Sequence, residues 1–150
     1  MSDEKRGKVL GALAYGPAPL HDRNPGLYHY GVHAVEVLYT VMGPGCQRVT
    51  CMQEKDVDMV SGQWKDGRVA GVRGQRPESP YGVVAFTDKG VKHVPLDMKY
   101  GYRELLKKVV DFFDKKKAPV DMAETIEIMA FIEAALKSAN NHGVGEKVAI

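Results

Sequence analysis

The segment from Leu27 to Met42, LYHYGVHAVEVLYTVM, leaves a folding chain few options. As an α-helix it is apolar on nearly every side, through Leu27, Tyr28, Tyr30, Val32, Ala34, Val35, Val37, Leu38, Tyr39, Val41 and Met42. A helix of that kind is a buried helix. One narrow polar stripe interrupts it. His29, His33, Glu36 and Thr40 fall at spacings that stack them, at 3.6 residues per turn, within roughly 60° of arc. Three readings are open for such a stripe: a binding or catalytic site facing a cleft, a satisfied polar network in the core, or an ordinary wet face. Wet faces carry Lys, Arg and Glu over about half of a helix circumference. Two imidazoles, a carboxylate and a hydroxyl on a narrow band favour the site.

A chain of 150 residues, 44% hydrophobic and 27% charged, has the size and composition of one globular domain with a substantial core. Only the charged stretch SDEKRG at the N-terminus reads as a tail. The formal net charge of +2, with both signs mixed along the chain, leaves no electrostatic footprint for nucleic acid. No apolar run approaches the ~20 residues of a membrane span, and the N-terminus lacks the apolar core of a signal peptide. Cytoplasm is the expected compartment. Cys46 and Cys51 lie an odd number of residues apart in a predicted strand, which sends them to opposite faces and argues against a shared disulfide or metal.

Along the chain, Lys8 to Tyr15 is a buried-strand pattern closed by Gly16-Pro17. The proline-rich connection from Pro17 to Gly26 carries His21, Asp22 and Arg23, loop residues that either contact a ligand or are simply solvated. Gly43-Pro44-Gly45 ends the central helix. Gln47 to Gln53 then reads as a strand. Two hairpins follow, Val57–Lys65 with Arg68–Gly74 about Asp66-Gly67, and Tyr81–Thr87 with Val91–Leu96 about Asp88-Lys89-Gly90. Arg73 and Arg76, near the loop between them, are expected to be exposed. Tyr102 to Lys116 is amphipathic, with Leu105, Leu106, Val109, Phe112 and Phe113 on one side and Lys115 to Lys117 suiting the helix C-terminus. Asp121-Met122-Ala123-Glu124 caps a third helix running towards Ser138, and Lys147 to Ile150 is a last strand. The sum is α+β: an open, mostly antiparallel sheet of about six strands with helices covering one face. Its other face, carrying Val, Ala, Met and Trp64, is expected to meet a second copy.

No G-x-G-x-x-G opens a helix after a strand, no phosphate-binding G-x-x-x-x-G-K-[ST] occurs, and no G-x-S-x-G marks a serine nucleophile. His29, His33 and Glu36 form H-x-x-x-H-x-x-E, a spacing able to bind zinc but common by chance. The competing chemistry is proton transfer: an imidazole titrates near neutral pH, and a carboxylate one turn away orients it.

The segment Tyr30-Gly31-Val32-His33-Ala34-Val35-Glu36 with LYTVMG after it resembles the G-x-H-x-x-[DE] helix of the Gfo/Idh/MocA oxidoreductases, the glucose-fructose oxidoreductase and inositol dehydrogenase group. The resemblance continues through WKDGR, YRELLKKVVDFF with its following Pro, and the last helix ending in Ala-x-x-Ser. It spans residues 1–150 but corresponds to the C-terminal domain alone, an α+β domain for substrate binding and oligomerisation. It implies that His33 stands at the catalytic histidine, with Glu36 as its acidic partner. His29 stands where many members have Asp, an alteration that bears on substrate class. His29, Tyr30, Glu36, His21 and Arg23 are the expected substrate contacts. NAD or NADP is expected in a full-length relative and not in this chain, because the family's Rossmann domain has no counterpart here. The expected partners are a second copy across the open sheet face, a separate Rossmann domain and a small-molecule sugar, polyol or related hydroxyl compound. The chain alone is expected to be inactive as a dehydrogenase. A non-catalytic dimeric module that binds a ligand or partner is the other functional class the sequence allows, and a metal-dependent hydrolase or isomerase using His29, His33 and Glu36 is a third.

Overall fold

The structure, a computed structural model, describes residues 7–150, so all of the N-terminal stretch but Gly7 lies outside the described residues. Seven strands form one open sheet: β1 (Val9–Pro17), β2 (Cys46–Glu54), β3 (Val57–Trp64), β4 (Val69–Gln75), β5 (Tyr81–Thr87), β6 (Gly90–Leu96) and β7 (Glu146–Lys147). The helices are α1 (Gly31–Met42), α2 (Gly101–Lys115) and α3 (Met122–Asn140), with short 3₁₀ turns at Gly26–Tyr28 and Met98–Tyr100. The α+β class and the largely antiparallel sheet are as expected. Both hairpins form where the turn residues place them, Gly67 and Gly90 taking positive φ. The final strand is shorter than expected, ending at Lys147.

The spatial order is β6-β5-β1-β4-β3-β2-β7, so the first strand sits between β4 and β5 and runs parallel to β4. Its composition explains that position. Ala12 and Ala14 face the helices while Leu13 and Tyr15 point the other way, and a strand apolar on both faces belongs inside a sheet. Alternate residues of the sheet, including Val49, Cys51, Val60, Trp64, Val72 and Val83, form a core under α1 and α3. Its centre is Tyr39 of α1, whose ring centroid lies 5.9 Å from those of both Trp64 and Phe131.

Several expectations give way here. Trp64 lies on the covered face, 2% exposed, with its indole N–H donating to the Gly43 carbonyl at 2.9 Å. The open face carries Leu13, Val84 and Phe86 towards one side and, towards the other, Thr50, Ser61, Gln63 and Arg73 together with the expected methionines, Met52 paired with Met59, as the strand registers require. Cys46 and Cys51 share the covered face, because an irregularity in the β2–β3 register between Cys46 and Arg48 shifts the alternation by one residue. Both are free thiols, and burial pushes each up to about 12. The Arg76 side chain is largely covered, 8% exposed: its guanidinium forks onto the Asp58 carboxylate at 2.8 and 3.0 Å and also donates to the Ala18 carbonyl at 2.9 Å. It ties the end of β1 to the β3–β4 edge. A polar group the sequence did not mark is Glu127 of α3, 6% exposed, whose Oε1 accepts from the Gly45 and Cys46 N–H groups and the Tyr39 hydroxyl. This single carboxylate holds the α1–β2 turn. Finally, α1 and α3 alone cover the sheet; α2 projects with none of its residues buried.

Candidate functional site

The central helix starts at Gly31, four residues later than its apolar pattern suggests. Gly26, at φ +60°, opens a single 3₁₀ turn that lays Gly26 and the buried Leu27 beside α3. His29 is then extended, and Tyr30 takes φ 57°, a region that L residues rarely occupy. The break corrects the expected stripe. His33, Glu36 and Thr40 remain on one helix face, while His29 belongs to the turn before it. Thr40 spends its hydroxyl on its own helix, donating to the Glu36 carbonyl at 2.9 Å.

The turn nonetheless brings the imidazoles into one row of rings. His21 and His29 have centroids 4.9 Å apart, His29 meets Tyr30 edge-on at 4.9 Å, Tyr30 meets His33 at 6.2 Å, and His33 meets Tyr81 at 6.2 Å. With its backbone at positive φ, Tyr30 places its ring between the two histidines. Arg23 enters through its main chain, whose N–H donates to His21 Nδ1 at 3.2 Å; its side chain is exposed.

His33 is the chemically defined member. Its Nδ1 lies 2.9 Å from Glu36 Oε2. An ionised carboxylate only accepts, so Nδ1 carries the proton and a neutral ring keeps its lone pair on Nε2, free for an incoming group. Half of each side chain is open to solvent, 49% for His33 and 54% for Glu36. The pair is therefore reachable and its geometry is preset.

Tyr81, from the start of β5, is a site residue that no local pattern marks. Its ring lies across Gly16 of β1, where any Cβ would collide with it, and Ala34 of α1 sits beside the same spot. Burial pushes the Tyr81 phenol above its ordinary range, with Tyr30 and the Glu36 charge adding to the effect. Glycine inside a strand is the one sequence signal that something approaches closely there. Below this row, an apolar groove of about 670 Å³ runs between α1 and the β5–β6 hairpin, lined by Val37, Val41, Val83, Ala85, Val94 and Leu96. Leu96 pairs with Tyr81 across the ladder, so groove and ring row are contiguous.

Among the described residues no three His, Cys, Asp or Glu side chains gather in a metal-binding arrangement. The H-x-x-x-H-x-x-E spacing needed a continuous helix, and the break at Tyr30 removes it. The stretch from β1 to α1 is a long connection through Pro19 and Pro25 and is not the glycine-rich turn that seats a pyrophosphate on a helix N-terminus. No helix of the described residues is long and apolar enough to cross a membrane.

The fold is the one the sequence resemblance implies, that found in Gfo/Idh/MocA-type dehydrogenases. The structure of GenD2 from gentamicin A biosynthesis, in complex with NAD, matches 99% of this chain with a TM-score of 0.83 at 17% identity. A myo-inositol dehydrogenase from Corynebacterium glutamicum matches 99% at TM-score 0.80 and 12% identity. A myo-inositol dehydrogenase from Lactobacillus casei, in complex with NAD(H) and myo-inositol, matches 96% at TM-score 0.75 and 11% identity. The chain spans 58%, 59% and 55% of those three proteins. No protein-family model matches the chain, and no curated protein matches it.

Proposed function

We propose that this chain is the C-terminal, substrate-binding and oligomerisation domain of an NAD(P)-dependent oxidoreductase acting on a hydroxyl of a sugar, polyol or related compound. The observation that carries the reading is the His33–Glu36 pair: Nδ1 fixed on a carboxylate at 2.9 Å and Nε2 left free. An imidazole so held accepts the proton of a substrate hydroxyl at Nε2 while Glu36 stabilises the imidazolium that results. Tyr30 and Tyr81 flank the ring on either side and orient what binds there; His29 and His21 extend the surface for further hydroxyls, with Arg23 at its margin. The cofactor belongs to a dinucleotide-binding domain outside these residues. That the similar structures include proteins solved with NAD, and one with myo-inositol, supports this assignment. A homodimer through the open sheet face completes the reading, supported by the apolar Leu13, Val84 and Phe86 on it.

The test uses the complete enzyme, with the dinucleotide-binding domain present, and a panel of polyols and sugars with NAD and NADP. His33→Ala is expected to lower kcat about 10²- to 10⁴-fold. Glu36→Gln is expected to lower it less. The chain of 150 residues by itself is expected to oxidise none of the panel. Turnover by that chain with added NAD or NADP, or full activity of the His33→Ala enzyme, defeats the proposal.

A further inference from the structure

Tyr15 and His93 form a pair on the open face of the sheet, away from the His33 row. Tyr15 follows Leu13 by two residues along β1, and His93 of β6 is the ladder partner of Val84, so both share the face of Leu13 and Val84. Strand β5 runs between them. Gly82 makes the contact possible: it is the β5 partner of Tyr15, any Cβ there would collide with the tyrosine ring, and across that gap the Tyr15 hydroxyl comes within 2.6 Å of His93 Nε2. The hydrogen bond holds the imidazole among Val84, Phe86, Val91 and Pro95. No counter-ion stands near it. The open-face residues of β1, β5 and β6 are otherwise uncharged. Beyond them come Arg73 on β4, Arg48 and Glu54 on β2, and Lys147 on β7. Glu54, the one carboxylate among the described strand residues of this face, is five strands from His93. At ~4.8 Å per strand that is about 24 Å, well past the screening length of physiological salt. Lys92 belongs to the other face, Lys89 lies in the β5–β6 turn, and at the two ends of the hairpin Asp88 accepts from the Lys8 N–H and Asp97 from the Lys99 N–H.

We propose that His93 makes the association of two copies across this face pH-dependent, the dimer forming while the imidazole is neutral and separating when it is protonated, an inference that rests on the homodimer proposed above. A two-fold contact uses the same patch on both copies, so each copy takes its own His93 out of water together with Val84 beside it. In the monomer an imidazolium is hydrated. Buried in the contact it loses that hydration with no carboxylate of its own strands to replace it. Association therefore selects the neutral ring and releases up to two protons per dimer. Since the dimer binds fewer protons than two monomers, its affinity rises with pH across the range in which imidazoles change charge, pH 5 to 8.

Sedimentation velocity at pH 8 and pH 5.5, on the protein at the length its native cells make, tests this. The dimer dissociation constant of the wild type is expected to rise more than about tenfold at the lower pH. His93→Gln, with a neutral side chain at both pH values, is expected to keep its pH 8 affinity at pH 5.5. His93→Lys, charged at both, is expected to be monomeric throughout. A wild-type dimer equally tight at both pH values overturns the inference and leaves the homodimer standing. So does a dimer that tightens at pH 5.5, which would mean that Glu54 of the second copy meets the imidazolium. A His93→Gln protein that separates at pH 5.5 as the wild type does assigns the effect to another group and overturns the inference as well. Monomer at both pH values defeats the homodimer itself, and the inference with it.

Discussion

Tyr30 holds φ at 57° with no glycine to make that conformation cheap. Such strain costs about 1–3 kcal/mol and persists where surrounding structure over-determines it. Here that conformation sets a phenol ring between His29 and His33. Tyr30→Gly is expected to raise the urea midpoint, by about 1 kcal/mol in stability, and to lower turnover of the complete enzyme by removing the ring. A lowered midpoint would mean that the ring contacts outweigh the strain. The buried thiols give a second residue-scale prediction. Cys46 and Cys51 stand at about 12 when folded, against an ordinary 9.0. A raised acid keeps its proton in the fold, so the unfolded chain binds fewer protons between those values. Stability is therefore undiminished by these groups below pH 9 and falls as pH rises from 9 to 12. Denaturant titrations across that range measure it, and a thiol reagent at pH 8 is expected to label the unfolded but not the native protein. The position of His33 and Glu36 on one face was legible at this scale because helical spacing alone determines it. The tyrosine strain and Tyr81 were not, since both depend on residues distant along the chain.

At the scale of elements, α1 was visible from its apolar pattern, but its start was not. Leu27 is buried in the 3₁₀ turn that precedes the break at His29 and Tyr30, packed near Gly31, Gly74 and Ala18 rather than continuing the helix. The hairpins were legible down to their turn residues because two-residue Asp-Gly turns and positive-φ glycines are local chemistry. The α1–β2 turn instead depends on Glu127, more than eighty residues away. Glu127→Ala leaves two backbone N–H groups and a buried hydroxyl without an acceptor and is expected to cost at least about 3 kcal/mol. Glu127→Gln keeps an amide oxygen in the same place and is expected to cost much less. Chemical denaturation of the pair decides the matter, equal losses counting against a hydrogen-bonding role. Arg76 illustrates the same limit: a loop arginine between Gln75 and Pro77 reads as solvated, and only the approach of Asp58 and the Ala18 carbonyl makes it a buried staple.

For the whole molecule, one sheet carries two differently equipped faces. The face under α1 and α3 is a packed core, while the open face is mixed, with Leu13, Val84 and Phe86 near β1 and β5 and polar residues interleaved with Met52, Met59 and Val69 on β2, β3 and β4. If a second copy sits on the apolar part, Val84→Lys is expected to convert the proposed dimer to monomer without changing the unfolding midpoint of the monomer. Sedimentation velocity is the measurement, and an unchanged sedimentation coefficient would rule out this part of the face as the contact. The groove beside α1 and the exposed apolar stripe of α2 are two further apolar surfaces of the described residues.

The sequence by itself determined the class of fold, most strand and helix limits, the His33–Glu36 pair and the amphipathic character of α2, because each rests on spacing within one element or on a turn of a few residues. Only the tertiary structure decided the place of β1 between β4 and β5, the shared face of the two cysteines, the burial of Arg76 and the arrival of Tyr81 over Gly16. Those features arise where segments far apart in the chain compete for the same interior space, and local periodicity carries no record of which neighbour wins.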